Sequence, residues 1–141
     1  MDSEPHQVRI RVRYVETDQM GVVHHAAWVP WFELARIEWL RARGRSYRDL
    51  EAEGIFMPVT ELTVKYQSSA RFDDEIDLAT TATARGPSRL VFITQASRGG
   101  SLLATATVTI AAVDRSGRPC RLPAGLGSAG SESASFPVAG S

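Results

Sequence analysis

Between Trp28 and Trp39 the chain sets three tryptophans and a phenylalanine at helical spacing. Trp28, Phe32, Ala35 and Trp39 form one seam, and Trp31, Leu34 and Ile37 widen it. An apolar stripe that broad belongs to a helix enclosed by other structure rather than laid on a surface. Pro30 is acceptable only near a helix start, so the spacing predicts a start within a few residues before it. Arg41 and Arg43 suit the negative end of the helix dipole, and Gly44 can take a left-handed cap. Ser46 is placed to cap a short second helix over Tyr47 to Glu53.

What encloses the long helix must come from the flanking segments. Val8, Ile10, Val12 and Tyr14 alternate with Arg9, Arg11 and Arg13, which predicts a strand with one buried and one solvated face. After Met57, Leu62, Val64 and Tyr66 alternate with polar residues; Ile76 to Ala82, Leu90 to Ala96 and Leu102 to Val113 follow. Asp73-Asp74, Gly86-Pro87-Ser88 and Gly99-Gly100 mark the turns between them. The expectation is an α+β domain: a five-stranded antiparallel sheet wrapped around one long central helix, its last four strands a meander. One sheet cannot fully enclose so aromatic a helix, so a second subunit is expected to close part of the surface. The domain is expected over residues 1–124. A flexible Gly/Ser/Ala-rich tail is expected over 125–141, where Glu132 is the only charge.

Several function classes are disfavoured at once. Sixteen basic and sixteen acidic residues leave a formal net charge of zero, which argues against a nucleic-acid partner. Apolar runs such as Leu90 to Ile93 reach only four residues, far short of the ~20 residues of a bilayer span. The polar N-terminus predicts a cytoplasmic protein without a targeting segment. Cys120 has no second cysteine with which to form a disulfide. No G-x-S-x-G or Walker A run occurs, and the G-x-G-x-x-G spacing of Gly125 to Gly130 falls in the Gly/Ser/Ala-rich tail rather than between a strand and a helix, so neither a serine hydrolase nor a nucleotide-binding enzyme is indicated, and no cofactor is expected. The adjacent His24 and His25 point in different directions and lack a ligand partner at metal spacing, so no metal site is assigned.

Two acidic residues stand out. Asp18 lies in the loop Glu16-Thr17-Asp18-Gln19-Met20-Gly21, just before the apolar pair Val22-Val23 and the helix. A turn or capping role is the ordinary explanation for such an Asp. Glu33 lies between Phe32 and Leu34, where a buried carboxylate would be costly unless paired, for example with Arg36, or put to use.

The run Tyr14-Val15-Glu16-Thr17-Asp18-Gln19-Met20-Gly21-Val22-Val23-His24-His25, with Trp28 and Arg36-Ile37-Glu38 after it, resembles the hotdog-fold acyl-CoA thioesterases. The likeness is to the 4-hydroxybenzoyl-CoA thioesterase branch and its YbgC-like members, over about residues 7–120. That family's Tyr-x-x-Pro-Ala stands here as Tyr66-Gln67-Ser68-Ser69-Ala70, and serine for proline predicts a less rigid loop. The resemblance implies thioester hydrolysis with Asp18 as general base or nucleophile, and with the backbone N–H of His25, opening the helix, polarising the thioester carbonyl. Glu33, eight residues past His25 as in a sister branch, would orient a water or the motif loop. Gly21, Val22, Val23 and Trp28 would face the substrate, with Gly21 letting the backbone approach it. The acyl group would lie under Trp28, Trp31 and Phe32, and Lys65, Arg71 and Arg89 would meet the phosphates of coenzyme A.

The resemblance also implies a homodimer or homotetramer with active sites at subunit boundaries. Two readings compete. One is hydrolysis of a thioester carried by acyl carrier protein, whose acidic surface would need an arginine rim that fifteen arginines permit but do not locate. The other is a non-catalytic acyl-binding module, which would have no need of the Asp18 motif. Hydratases of this fold space their Asp and His by five, whereas Asp18 and His24 are six apart.

Overall fold

The computed structural model describes residues 4–126. The chain runs through β1 (His6–Arg11), a 3-10 turn (Tyr14–Glu16), α1 (His25–Ala42), α2 (Tyr47–Ala52), β2 (Val59–Tyr66), β3 (Glu75–Arg85), β4 (Arg89–Arg98) and β5 (Ser101–Ala111). The strands form one antiparallel sheet in the order β1-β3-β4-β5-β2. The expected α+β class, five strands and one long helix are all present. The four-strand meander is not: β3, β4 and β5 are consecutive neighbours, but β2 pairs with β5 at the far edge. The β1–α1–α2–β2 connection carries the chain from one edge of the sheet to the other before the meander fills the space between.

Alternation places the core. Ile76, Leu78, Thr80 and Ala82 of β3 are buried, as are Leu90 and Phe92 of β4 and Ala104, Ala106, Val108 and Ile110 of β5. Trp28, Trp31, Phe32, Ala35 and Trp39 of α1 join that core, and Trp39 meets Phe92 edge-to-face at 5.2 Å. On the outer face Arg9 bonds Asp77 at 2.7 Å and Arg11 bonds Glu75 at 2.7 Å. Those arginines therefore decorate a solvated strand face, as the alternation predicts. Tyr14 departs from it. The strand ends before the 3-10 turn, which throws Tyr14 outward, 77% exposed, against the ring of Phe72.

Helix α1 starts five residues before Pro30. It ends as the Arg43-Gly44 pair allows: Gly44 has φ 80°, its N–H donates to the Arg41 carbonyl, and the Arg45 N–H donates to that of Leu40. Ser46 caps α2 by accepting from the Asp49 N–H at 3.1 Å. The folded body reaches further than composition suggests, because Leu126, expected in the tail, is buried in the core. The rest of the expected tail, from residue 127 on, lies outside the described residues. Among those described, no helix is long and apolar enough to cross a membrane.

Candidate active site

The loop between β1 and α1 is a small hairpin rather than an irregular excursion. Thr17 and Val23 form an antiparallel bridge, the Asp18 N–H donates to the Val22 carbonyl at 2.9 Å, and the Gly21 N–H donates to the Asp18 carbonyl at 3.0 Å. Gln19, Met20 and Gly21 form its tip. Gly21 has φ 78° and open space where a Cβ would stand. The left-handed conformation by itself favours glycine here. Gly21→Ala is accordingly expected to cost about 1 kcal/mol by urea denaturation, from backbone conformation alone.

Asp18 is exposed, and its Oδ1 accepts from the backbone N–H groups of Met20 (2.8 Å) and Val22 (3.2 Å). The ordinary turn role is thus real. It occupies one carboxylate oxygen; Oδ2 has no hydrogen-bond partner among the described residues.

Two residues beyond the bridge, the chain enters α1. His24 is the N-cap, and its N–H donates to the Glu16 carbonyl at 3.2 Å. His25 is the first helical residue. Its N–H is one of the orphan donors of a helix start and has no partner among the described residues. The His25 imidazole packs on the Tyr66 ring at 4.4 Å, and the Tyr66 hydroxyl donates to the His25 carbonyl at 3.3 Å. Val22, Val23, His25, Trp28 and Tyr66, with Gln67, Ser68 and Ser69, line a depression of about 230 Å³. The Tyr66–Ala70 loop is held despite its serine: the Val23 N–H donates to the Ala70 carbonyl at 2.9 Å and Arg98 to that of Ser69 at 3.1 Å.

Other expected site residues fall elsewhere. Trp31 and Phe32 are buried in the core and do not line this depression, whereas Trp28 does. Glu33 is exposed rather than buried; it lines a separate depression with Val29, Pro30, Arg36, Val59, Leu62 and Val108. No ion pair joins Glu33 to Arg36 among the described residues; the Arg36 guanidinium lies instead where its charge acts on the Tyr47 hydroxyl, with its Nε buried and unpartnered among the described residues. Burial pushes that hydroxyl up from its ordinary value, although Arg36 opposes the shift. Arg71 is exposed and bridges Val22, so it stands beside the motif hairpin. Lys65 is exposed on the edge strand next to Tyr66. Arg89 pairs with Ala111, whereas Tyr66 pairs with Ala104, so the register puts Arg89 about 20 Å away toward the other end of the sheet. It does not join this site within one chain.

Two residues are functional neighbours that sequence reasoning passed over. Tyr66 is read from sequence as a strand residue and the head of the Tyr66–Ala70 loop, with no site role. Glu16 had registered only as loop, yet it is 9% exposed. Its Oε1 accepts from the Arg13 N–H at 2.7 Å, and its Oε2 from the Trp31 indole at 2.9 Å and the Arg13 guanidinium at 3.0 Å. Burial pushes this carboxyl up, but the bonds from Arg13 and Trp31 outweigh it and hold the group below the ordinary carboxylate value. The available signal was Trp31 itself, since a buried indole N–H needs an acceptor.

Residues 12–130 match the model of the thioesterase-like superfamily. The chain is 38% identical over 106 residues to the acyl-CoA thioester hydrolase YbgC of Escherichia coli, covering 74% of this chain and 79% of that one. It superposes on the DHNA-CoA thioesterase of Staphylococcus aureus with a TM-score of 0.83 at 29% identity, over 97% of this chain and 95% of that one. A hypothetical protein from Thermus thermophilus matches with a TM-score of 0.81 at 36% identity, over 89% and 97%. With the sheet order, the central helix and the Asp18 hairpin at its tip, these likenesses are decisive: the chain belongs to the thioesterase-like superfamily and is one of its hotdog-fold acyl-CoA thioesterases.

Proposed function

We propose that the thioester is hydrolysed at the mouth of the Val22–Tyr66 depression, with Asp18 supplying the carboxylate and the His25 N–H receiving the carbonyl oxygen. The observation that carries this reading is the unpartnered N–H of His25, at the first residue of an 18-residue helix on the wall of that depression. A helix start concentrates partial positive charge, and a donor fixed in advance stabilises the oxyanion without reorganisation. A thioester is already activated, so one carboxylate and one fixed dipole suffice. Asp18 Oδ2 either removes a proton from the attacking water or attacks the carbonyl itself to give a mixed anhydride; the coenzyme A thiolate leaves in both routes. Val22, Val23 and Trp28 meet the acyl group, and Lys65 and Arg71 the phosphates. Glu33, expected to orient a water or the motif loop, lines a separate depression of the single chain.

The test is release of free thiol from a panel of short aliphatic, long aliphatic, benzoyl and phenylacetyl-CoA thioesters, with one acyl carrier protein thioester. Turnover of coenzyme A thioesters with none of the carrier-protein substrate is the expected result. The reverse preference would support the carrier-protein reading, and no turnover of any would support acyl binding without catalysis.

The reading includes a homodimer or a tetramer built from it. Among the described residues the outer edge of β2 has no neighbouring strand, and Val59, Leu62 and Tyr66 on it are exposed, as is Val29 of α1. An uncovered strand edge with apolar side chains invites a second copy. Light scattering is expected to give a mass of at least twice the 15.4 kDa chain. Leu62→Glu is expected to shift the protein to single chains and to reduce thioesterase activity at least tenfold, since about 1.4 kcal/mol of lost interaction already changes an equilibrium tenfold.

A further inference from the structure

We propose that Glu16 is a positioning residue for the reaction: its buried side chain fixes the Asp18 hairpin to the first two turns of α1. The inference rests on the Asp18 and His25 roles above and adds what holds them in register.

The hairpin has two stems. One follows β1 through Arg13, the N-cap of the 3-10 turn, and the other enters α1 at His24. Glu16 holds both, since its carboxylate accepts from the Arg13 N–H and its carbonyl accepts from the His24 N–H. The third attachment reaches the helix itself. Trp31, six residues past His25, points its indole N–H at Glu16 Oε2 from inside the core, where its ring packs 4.8 Å from Trp28. The unit carrying Asp18 is thereby tied to the unit carrying the His25 N–H through one carboxylate with three donors. Fold alone gives little reason for this choice. A buried carboxylate costs desolvation, and an apolar residue of similar size often serves stability as well. Charge-assisted bonds, however, set distance and angle more firmly than apolar contact. A misplacement of about 1 Å at a reacting group can cost up to about 100-fold in rate.

A double-mutant cycle separates positioning from mere stability. Glu16→Gln keeps the shape and one acceptor but removes the charge and sets an amide NH₂ against one of the donors. Single-turnover hydrolysis of the best thioester in the panel is expected to slow about 10- to 100-fold, with KM within threefold. In an Asp18→Asn background the same change is expected to slow the residual reaction less than threefold, because the group it positions is gone. Equal losses in both backgrounds, or a Glu16→Gln enzyme within twofold of wild type, would overturn the proposal. Should Glu16→Gln fail to fold, Trp31→Phe removes only the indole donor and is expected to show the same non-additivity at smaller amplitude; equal losses there would count against it equally. An Asp18→Asn enzyme at full rate would instead remove the Asp18 role, and the positioning role with it. Loss in Glu16→Gln alone, with Asp18→Asn slow, leaves the catalytic reading intact.

Discussion

Asp18→Asn is expected to lower kcat/KM about 10³-fold while leaving the melting temperature within a degree or two of wild type. The two halves of that expectation come from different oxygens. The hairpin uses Oδ1, which accepts from Met20 and Val22, and the amide oxygen of asparagine can accept the same two bonds. The proposed chemistry uses Oδ2, and an amide nitrogen there neither takes a proton nor attacks a carbonyl. General-base or nucleophilic assistance of this kind is worth about 10²–10⁴ in rate. Asp18→Ala should then lose both, with a similar rate defect and a modestly lower melting temperature from the two hydrogen bonds that hold the hairpin. Thermal melts and thioester hydrolysis on both variants make the comparison. An asparagine variant that turns over normally would leave Asp18 as a turn cap and nothing more. Rapid quenching of the wild-type enzyme separates the two chemical routes: thiol released in a burst ahead of free acid indicates a mixed anhydride, and simultaneous release indicates an activated water.

How far the site could be read from sequence depended on whether a residue's neighbours in space were its neighbours along the chain. The loop that carries Asp18 and the helix start at His25 were legible because both are local structures. Glu33 misled for a definable reason. Its sequence neighbours Phe32 and Leu34 are apolar, but adjacent helical residues sit about 100° apart and do not share a face. The residues that share its face are Val29, Pro30 and Arg36, three or four positions away, and with them it lines an open depression. The buried carboxylate is Glu16, whose burial depends on Trp31 fifteen residues on and could not be seen as a local pattern. Strand order shows the same limit. Alternation located β2 correctly, but nothing within Val59–Tyr66 states that it pairs with β5 rather than β3. Arg89 was grouped with Lys65 and Arg71 as a strand-end cation, and only the register assigns it to the other end of the sheet.

His25→Pro is expected to reduce the hydrolysis rate about 10²- to 10³-fold relative to His25→Ala, with both variants folded. Proline is normally a poor choice in a helix, yet this is the one position where it should be tolerated. His25 is the first residue of α1, where the N–H has no intrahelical partner to lose and proline's fixed φ suits the helix. The preceding His24 has φ −80° and ψ 153°, the extended conformation that a following proline requires. The substitution thus deletes one backbone N–H and little else of the backbone. It also deletes the imidazole that packs on Tyr66, which is why alanine is the reference: it removes the ring and keeps the N–H. The His25 carbonyl that accepts from the Tyr66 hydroxyl is present in all three proteins. A rate loss confined to proline identifies the backbone donor as the oxyanion partner, worth about 3–4 kcal/mol at the transition state. Equal rates in the proline and alanine variants would mean that the carbonyl oxygen finds its donor elsewhere, and the proposed geometry at the helix tip would have to be given up.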